Sequence, residues 1–355
     1  MKTQRELITI NGSHGEGGPA LFRTALAMAA LTQQPVKVHH IRGGTRKTGI
    51  QAEDLAFIHA LESSCAAELE GAEISSDELI FRPQRVPQPV SLKLDHQLFE
   101  RGNHPGNALI LTHALLPVLS RAGGVSRITA IGETYNPHAL TYDSFENVTL
   151  TAHRHQGIYA YTRMLLPGFG YAAKGEVSTE IEPSQPNGLQ WEHRGDLVEV
   201  GARIVTSELP PTVCERGAAH LERLGHEHGL TIDVDPILLE SRTPGAFVTI
   251  WAQFEHGIGC GTAMGARGVR MESVVNQAFE NFMAWFKSDR AVDPFLADQL
   301  LLPAILAKEP TVISTNRVTS RLITLGWVAK QFLPIHVTIL GMEGEPGLIK
   351  VQPVS

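Results

Sequence analysis

The chain has 355 residues, 30 Lys+Arg against 37 Asp+Glu, a formal charge of −7 and 43% hydrophobic content. This exceeds what one hydrophobic core usually serves, so two domains are expected, and the apolar content excludes a disordered chain. The acidic balance excludes an overall basic nucleic-acid coat protein, while a local basic groove remains compatible with it.

The N-terminus lacks a long apolar run, so no signal peptide is expected. Residues 7–10 form an apolar run closed by Asn11-Gly12 and read as a strand. Gly15-Glu16-Gly17-Gly18-Pro19 precedes an Ala-rich helix over 21–31, with Pro19 suited to its first turn. A strand over 36–41, a glycine-rich basic loop over 42–49 and a helix over 52–61 follow. Short strands are expected at 79–81 and 90–92.

The plan then partly repeats. A helix is expected over 108–119, a strand at 128–130, a polar loop over 132–142, a helix over 144–164 and a loop or strand over 165–175. The 108–119 run is interrupted by His113 and Pro117 and is shorter than the ~20 residues a bilayer needs, so no membrane span is expected. Residues 182–188 read as a linker. Beyond it come strands at 198–205, 230–234 and 246–254, a helix over 213–225 and a five-glycine stretch over 257–268 with no assigned role. A helix over 272–286 leads back. Helices over 295–306 and 322–332 and strands at 311–313 and 335–340 complete an α/β pattern interrupted by a small inserted α/β unit.

Loop 13–23 offers backbone N–H groups at a helix N-terminus, a ready anion site. Glu16 beside it suits a hard cation such as Mg²⁺, or equally a carboxylate settled by the helix dipole. Arg42, Arg46 and Lys47 stand among three glycines, a composition suited to phosphate contacts in preference to a solvated turn. It is not a P-loop, because Arg46 stands where that motif needs glycine.

His39-His40, His153-x-His155 and His226-Glu227-His228 lack metal-ligand spacing and are expected at exposed helix positions. His14-Gly15-Glu16 imitates the H-x-E of zinc deaminases, but no P-C-x-x-C follows. Cys65, Cys214 and Cys260 are far apart, which argues against disulfides or structural zinc and for a cytoplasmic compartment. Asp298 and Gln299 fall inside an apolar helix and are expected on its polar face.

Taken together, these segments resemble the RNA 3′-terminal phosphate cyclase family. Asn11-Gly12-Ser13-His14-Gly15-Glu16-Gly17-Gly18 with Arg23 is similar to the family's DGSxGEGGGQxxR opening. Residues 41–49 are similar to IRxxRxxPGL. Gly132-Glu133-Thr134-Tyr135-Asn136-Pro137 with Asp143 is similar to GGTxNPxAPxxD, and residues 167–170 to a degraded GFYPxGGG turn. Residues 296–300 read LADQL in full, and Gln331-Phe332-Leu333-Pro334 resembles RFLP. Six ordered matches are far more specific than any single one.

The resemblance implies a large domain of three repeated α/β units (1–183 and 279–355) carrying a smaller insert domain (184–278). It implies that ATP adenylates a histidine, that AMP passes to an RNA 3′-phosphate, and that the 2′-OH closes a 2′,3′-cyclic phosphate with Mg²⁺ assisting. On this mapping Glu16 lies near metal and ATP, Arg23, Arg42 and Lys47 near phosphates, and Asp298-Gln299 at the nucleotide site.

The departures cluster. The family nucleophile falls on Arg321, whose guanidinium stays protonated and has no lone pair with which to attack phosphorus. The family's TN pair is Thr324-Leu325, its GGGQ glutamine is Ala20, and a glutamine of the second helix is Glu53. Two expectations follow. Either another histidine serves as nucleophile, His336 being the candidate ahead of His14 and His113, or the chain binds RNA 3′ ends without self-adenylation, with Arg321 clamping phosphate. A protein-partner role stands as a third, because a fold does not fix function. Oligomeric state is not readable.

Overall fold

In the computed structural model, residues 6–99, 106–170 and 174–353 are described. Four four-stranded sheets result. The first runs Ile8–Asn11, Val36–His39, Glu78–Arg82, Glu68–Glu70, with its first pair parallel. The Pro19–Thr32 and Ala52–Cys65 helices accompany it. The second runs Ser91–Leu94, Ser126–Gly132, Gly175–Ile181, Ala160–Leu166, with the Ala108–Leu119 helix. The third runs His336–Leu340, Gly347–Gln352, Thr311–Thr315, Gln190–Trp191, with the Pro294–Leu306 and Ser320–Phe332 helices. These three α/β units share one continuous apolar core reaching from Ile10 to Val351.

The fourth sheet runs Asp233–Leu239, Leu197–Ser207, Gly245–Phe254, Gly257–Met264. It forms a separate core with the Pro211–Glu227 and Met271–Phe286 helices, built on Ile204, Leu221, Ile250, Phe282 and Trp285. The five-glycine stretch has its explanation here. A Cβ at Gly259 would stand 2.6 Å from the Trp285 ring, and one at Gly261 would overlap the Phe282 backbone. Bare glycines let the Met271–Phe286 helix settle directly on its strand.

Three expectations need correction. The helix expected over 144–164 is replaced by helical turns from Tyr142 to His155, with a π-turn at Phe145–Thr149. Gly157 then adopts φ +75° and turns the chain into the Ala160–Leu166 strand. The strand expected at 230–234 is Asp233–Leu239, set by parallel pairing from Gly201↔Asp233 onward. The histidines are not uniformly exposed on helices. His153 is fully buried, and His39 ends a strand. Part of the 165–175 reading lies outside the described residues.

Candidate nucleotide site

Where the first and third units meet, against the fourth sheet, lies a cavity of about 440 Å³. Pro19, Ala20 and Arg23 line one wall, His113 and Pro117 another, Pro137 to Leu140 with Ser144, Val148 and Thr149 a third. Phe295, Asp298, Gln299 and Arg321 close it, with Cys260 and Thr262 from the fourth sheet. A mostly apolar cleft with a few convergent polar groups is the usual shape of a small-molecule site.

The glycine-rich first loop is held against the Ser320–Phe332 helix. Glu16 N–H donates to Thr324 Oγ1 at 3.0 Å, and the His14 ring stacks on Trp327 at 3.8 Å. Gly15, at φ +58°, lies so close to Thr324 that a Cβ would collide with its hydroxyl. Gly44 N–H donates to Gly17 O at 3.0 Å, joining this loop to the second glycine-rich loop. The same packing aims Glu16 at Arg321, with Oε2 3.8 Å from Nε, while Glu16 Oε1 is buried without a hydrogen-bond partner.

Arg321 also faces Asp298, Nη1 to Oδ2 3.9 Å. Thr319 caps its helix by accepting from Leu322 N–H at 2.9 Å and donates its hydroxyl to Asp298 Oδ1 at 2.6 Å. Burial pushes the Asp298 carboxyl up to about 7, against the pull of Thr319 and Arg321. Asp298 is 7% exposed and so does not lie on a solvated polar face, because the Pro294–Leu306 helix is buried along most of its length and turns Phe295 to solvent instead. Gln299 Oε1 accepts from Thr149 Oγ1 at 2.7 Å, which fixes its amide.

Arg23 and Arg42 are spent on one another's acids. Glu53 Oε1 takes Arg23 Nη2 at 2.8 Å and Arg42 Nη2 at 2.5 Å. Asp54, fully buried, takes Arg23 Nη2 at 3.3 Å and Arg42 Nε at 2.7 Å. Against the cost of burial, the two guanidinium groups hold Glu53 down to about 2. Two cations and two anions close on themselves as a neutral cluster. Arg46 and Lys47 are exposed on the second loop and do not line the cavity. His336 is exposed at the start of its strand, paired across to Gln352, also outside the cavity lining.

His113, in the cavity wall, and His153 behind it bring their Nε2 atoms 3.4 Å apart. Burial keeps both neutral, pushing His113 down to about 3 and His153 to about 4. Arg203 ties the fourth sheet to the cavity wall by pairing with Asp143 at 3.2 Å and Glu146 at 2.8 Å, on the segment that carries Ser144, Val148 and Thr149. Sequence reasoning missed Asp54, Thr149 and Thr319. Gln51-x-x-Asp54 and Thr319 before an apolar run were readable as helix caps, and the structure uses both as caps.

A divalent cation at Glu16 would need further oxygen or nitrogen donors around it. Among the described residues no three His, Cys, Asp or Glu side chains gather to hold a metal. Glu16 Oε1 is free, but the guanidinium 3.8 Å from Oε2 already supplies positive charge there. A dication would sit against Arg321, so the donor set does not fit one. Among the described residues, no helix is long and apolar enough to cross a membrane.

The model of one protein family, RNA 3′-terminal phosphate cyclase, matches residues 14–339. A protein named RNA 3′-terminal phosphate cyclase from Methylococcus capsulatus is 32% identical over 348 residues, covering 98% of this chain and 96% of its own. Its namesake from Gloeothece citriformis is 31% identical, covering 98% of this chain and 99% of its own. That from Thermococcus gammatolerans is 31% identical over 355 residues, covering 98% of each chain. Among solved structures, the enolpyruvyl transferase NikO from Streptomyces tendae aligns with 50% of this chain and 33% of its own, at TM-score 0.28 and 13% identity.

Proposed function

Since the chain belongs to the RNA 3′-terminal phosphate cyclase family, we propose that it binds a nucleotide in the cavity and an RNA 3′ end beside it, and that it does not adenylate itself by the family's histidine route. The observation that carries this reading is the side chain at position 321. Arg321 lines the cavity and faces Glu16 and Asp298, and the resemblance implies that the family's nucleophilic histidine falls at this position. A guanidinium has no lone pair to give phosphorus, whereas it grips phosphate oxygens by paired N–H donors. The remaining chemistry is retention of phosphates, not their transfer to an enzyme atom. Arg46 and Lys47, exposed on the loop joined to the Glu16 loop, suit the RNA backbone.

The apolar wall with Phe295, Pro137 and Leu140, together with the fixed amide of Gln299, suits a flat nucleobase with hydrogen-bonding edges. ATP is the nucleotide the family resemblance favours. His336 is a poor substitute nucleophile on this reading, because its place is outside the cavity lining.

The test is incubation with ATP labelled at the α-phosphate, followed by denaturing gel and intact mass, with Arg321→His beside the wild type. No adduct on the wild type and an adduct on the variant are expected. A covalent adenylate on the wild type would overturn the reading and direct mapping of the nucleophile. No adduct on either leaves nucleotide binding itself as the measurement that decides between an RNA-end binder and a protein-partner role.

A further inference from the structure

We infer that Arg321 stands in for a divalent cation at Glu16, so that this chain holds nucleotide phosphates without a metal. The inference rests on the nucleotide reading of the cavity and adds how its charge is balanced.

Three observations carry it. First, among the described residues Arg321 faces both Asp298, which lines the cavity, and Glu16 beside it, with Glu16 Oε2 3.8 Å from Nε and Asp298 Oδ2 3.9 Å from Nη1. Neither contact is tight, and the Arg321 side chain is 49% exposed, so its donors face the cavity as well as the acids. Second, Glu16 Oε1 is buried without a hydrogen-bond partner. A carboxylate kept in that condition needs positive charge nearby, and the chain's own guanidinium is the charge at hand. Third, the other guanidinium of the wall, Arg23, is neutralised together with Arg42 by Glu53 and Asp54. Polyphosphate entering the cavity therefore meets Arg321 as its least committed cation. A planar guanidinium can hold a phosphate oxygen pair on one edge while another edge faces Glu16, the bridging task a metal performs with its coordination sphere.

Glu53 places an anion among Arg23 and Arg42, and Arg321 places a cation at the Glu16 side. The positive charge least neutralised within the protein therefore lies at Arg321 and not at Arg23.

Two measurements test this. The first is Mn²⁺ binding to the free protein by electron paramagnetic resonance, with no nucleotide present. The wild type is expected to take up no Mn²⁺ at Glu16, and Arg321→Gln to gain a site that the further change Glu16→Gln removes. Mn²⁺ bound by the wild type and lost in Glu16→Gln would overturn the inference. The second is ATP affinity by calorimetry in EDTA and in Mg²⁺. The wild type is expected to bind equally in both, whereas Arg321→Gln falls at least about tenfold in EDTA and regains affinity with Mg²⁺, and Arg321→Lys stays between them. Wild-type affinity that drops about tenfold in EDTA overturns metal independence. Absence of ATP binding in either buffer overturns the nucleotide reading instead, and the Mn²⁺ measurement, which needs no nucleotide, still decides who holds the charge at Glu16.

Discussion

Arg23 Nη2 lies 2.8 Å from Glu53 Oε1, so the first and second helices are joined by a charge pair on the cavity side of the core. Glu53→Gln keeps the shape and removes one negative charge from the four-member cluster. Arg23 and Arg42 then share Asp54 alone, and one guanidinium is free to meet phosphate. ATP or pyrophosphate affinity is expected to rise about tenfold by calorimetry. Asp54→Asn is the contrasting change. Asp54 is fully buried, and its loss leaves two buried cations short of a partner, with an expected cost of about 3–5 kcal/mol in urea unfolding. Equal effects of the two changes would mean the cluster does not gate charge toward the cavity.

Asp298 makes the protein less stable as pH rises. Burial pushes its carboxyl from 3.8 up to about 7, so the folded state keeps a proton that the unfolded chain has already lost. The stabilisation from this proton is fully present below about 4 and is lost as pH rises through about 7. Its span is at most roughly 4 kcal/mol. Asp298→Asn cannot ionise and is expected to raise the melting temperature at pH 8 while changing little at pH 4. The measurement is a melting curve for both proteins across that range, and an unchanged difference between pH 4 and pH 8 would count against the assignment.

Gly15→Ala tests the seat of the first loop. The position has φ +58°, and an added Cβ collides with Thr324 Oγ1, which accepts the Glu16 N–H. Strain of this kind costs of order 1–3 kcal/mol. The loop is expected to lift from the helix, taking Glu16 away from Arg321, with ATP affinity falling more than stability. Pairing it with Thr324→Ala removes the hydroxyl collision but neither the positive-φ strain nor the loss of the Glu16 N–H acceptor, so melting temperature is expected to recover only in part while affinity stays low.

Legibility followed the kind of physics involved. Strands and helices with strong local patterns, such as Pro19–Thr32 and Gly245–Phe254, were readable from propensity and periodicity. The strand Ala160–Leu166 was not, because its end from the preceding helix is set by Gly157 and its pairing by Gly175–Ile181 far along the chain. The glycine run 257–268 gave no pattern, since its purpose is the approach of Trp285 and Phe282 from a later helix. At the site, Arg321, Glu16 and Asp298 were each singled out by residue type and resemblance. Their mutual distances, and the neutralisation of Arg23 and Arg42 by Glu53 and Asp54, depend on contacts between helices and were visible only in three dimensions.

The histidine pair at the cavity's back wall is expected to contribute to the protein's loss of stability in acid. Gln156 Nε2 donates to Leu300 O at 3.0 Å, which turns its Oε1 toward His153 Nδ1, also at 3.0 Å. His153 therefore carries its proton on Nδ1 and presents Nε2 as a bare acceptor to His113. Nitrogen NMR of the two rings is expected to report that tautomer for His153 and no protonated imidazolium down to pH 5. Because burial lowers His153 from 6.5 to about 4, the unfolded chain takes up a proton that the folded state refuses. The stability it contributes is complete above the unfolded value of 6.5 and is lost as pH falls through about 4, a span of roughly 3 kcal/mol for this residue alone. His153→Asn keeps a donor for Gln156 and removes the titration. It is expected to lower stability at pH 7.5 yet to flatten the fall in urea-unfolding free energy between pH 6.5 and pH 4. A variant that unfolds with the wild-type pH slope would place the acid limit elsewhere in the molecule.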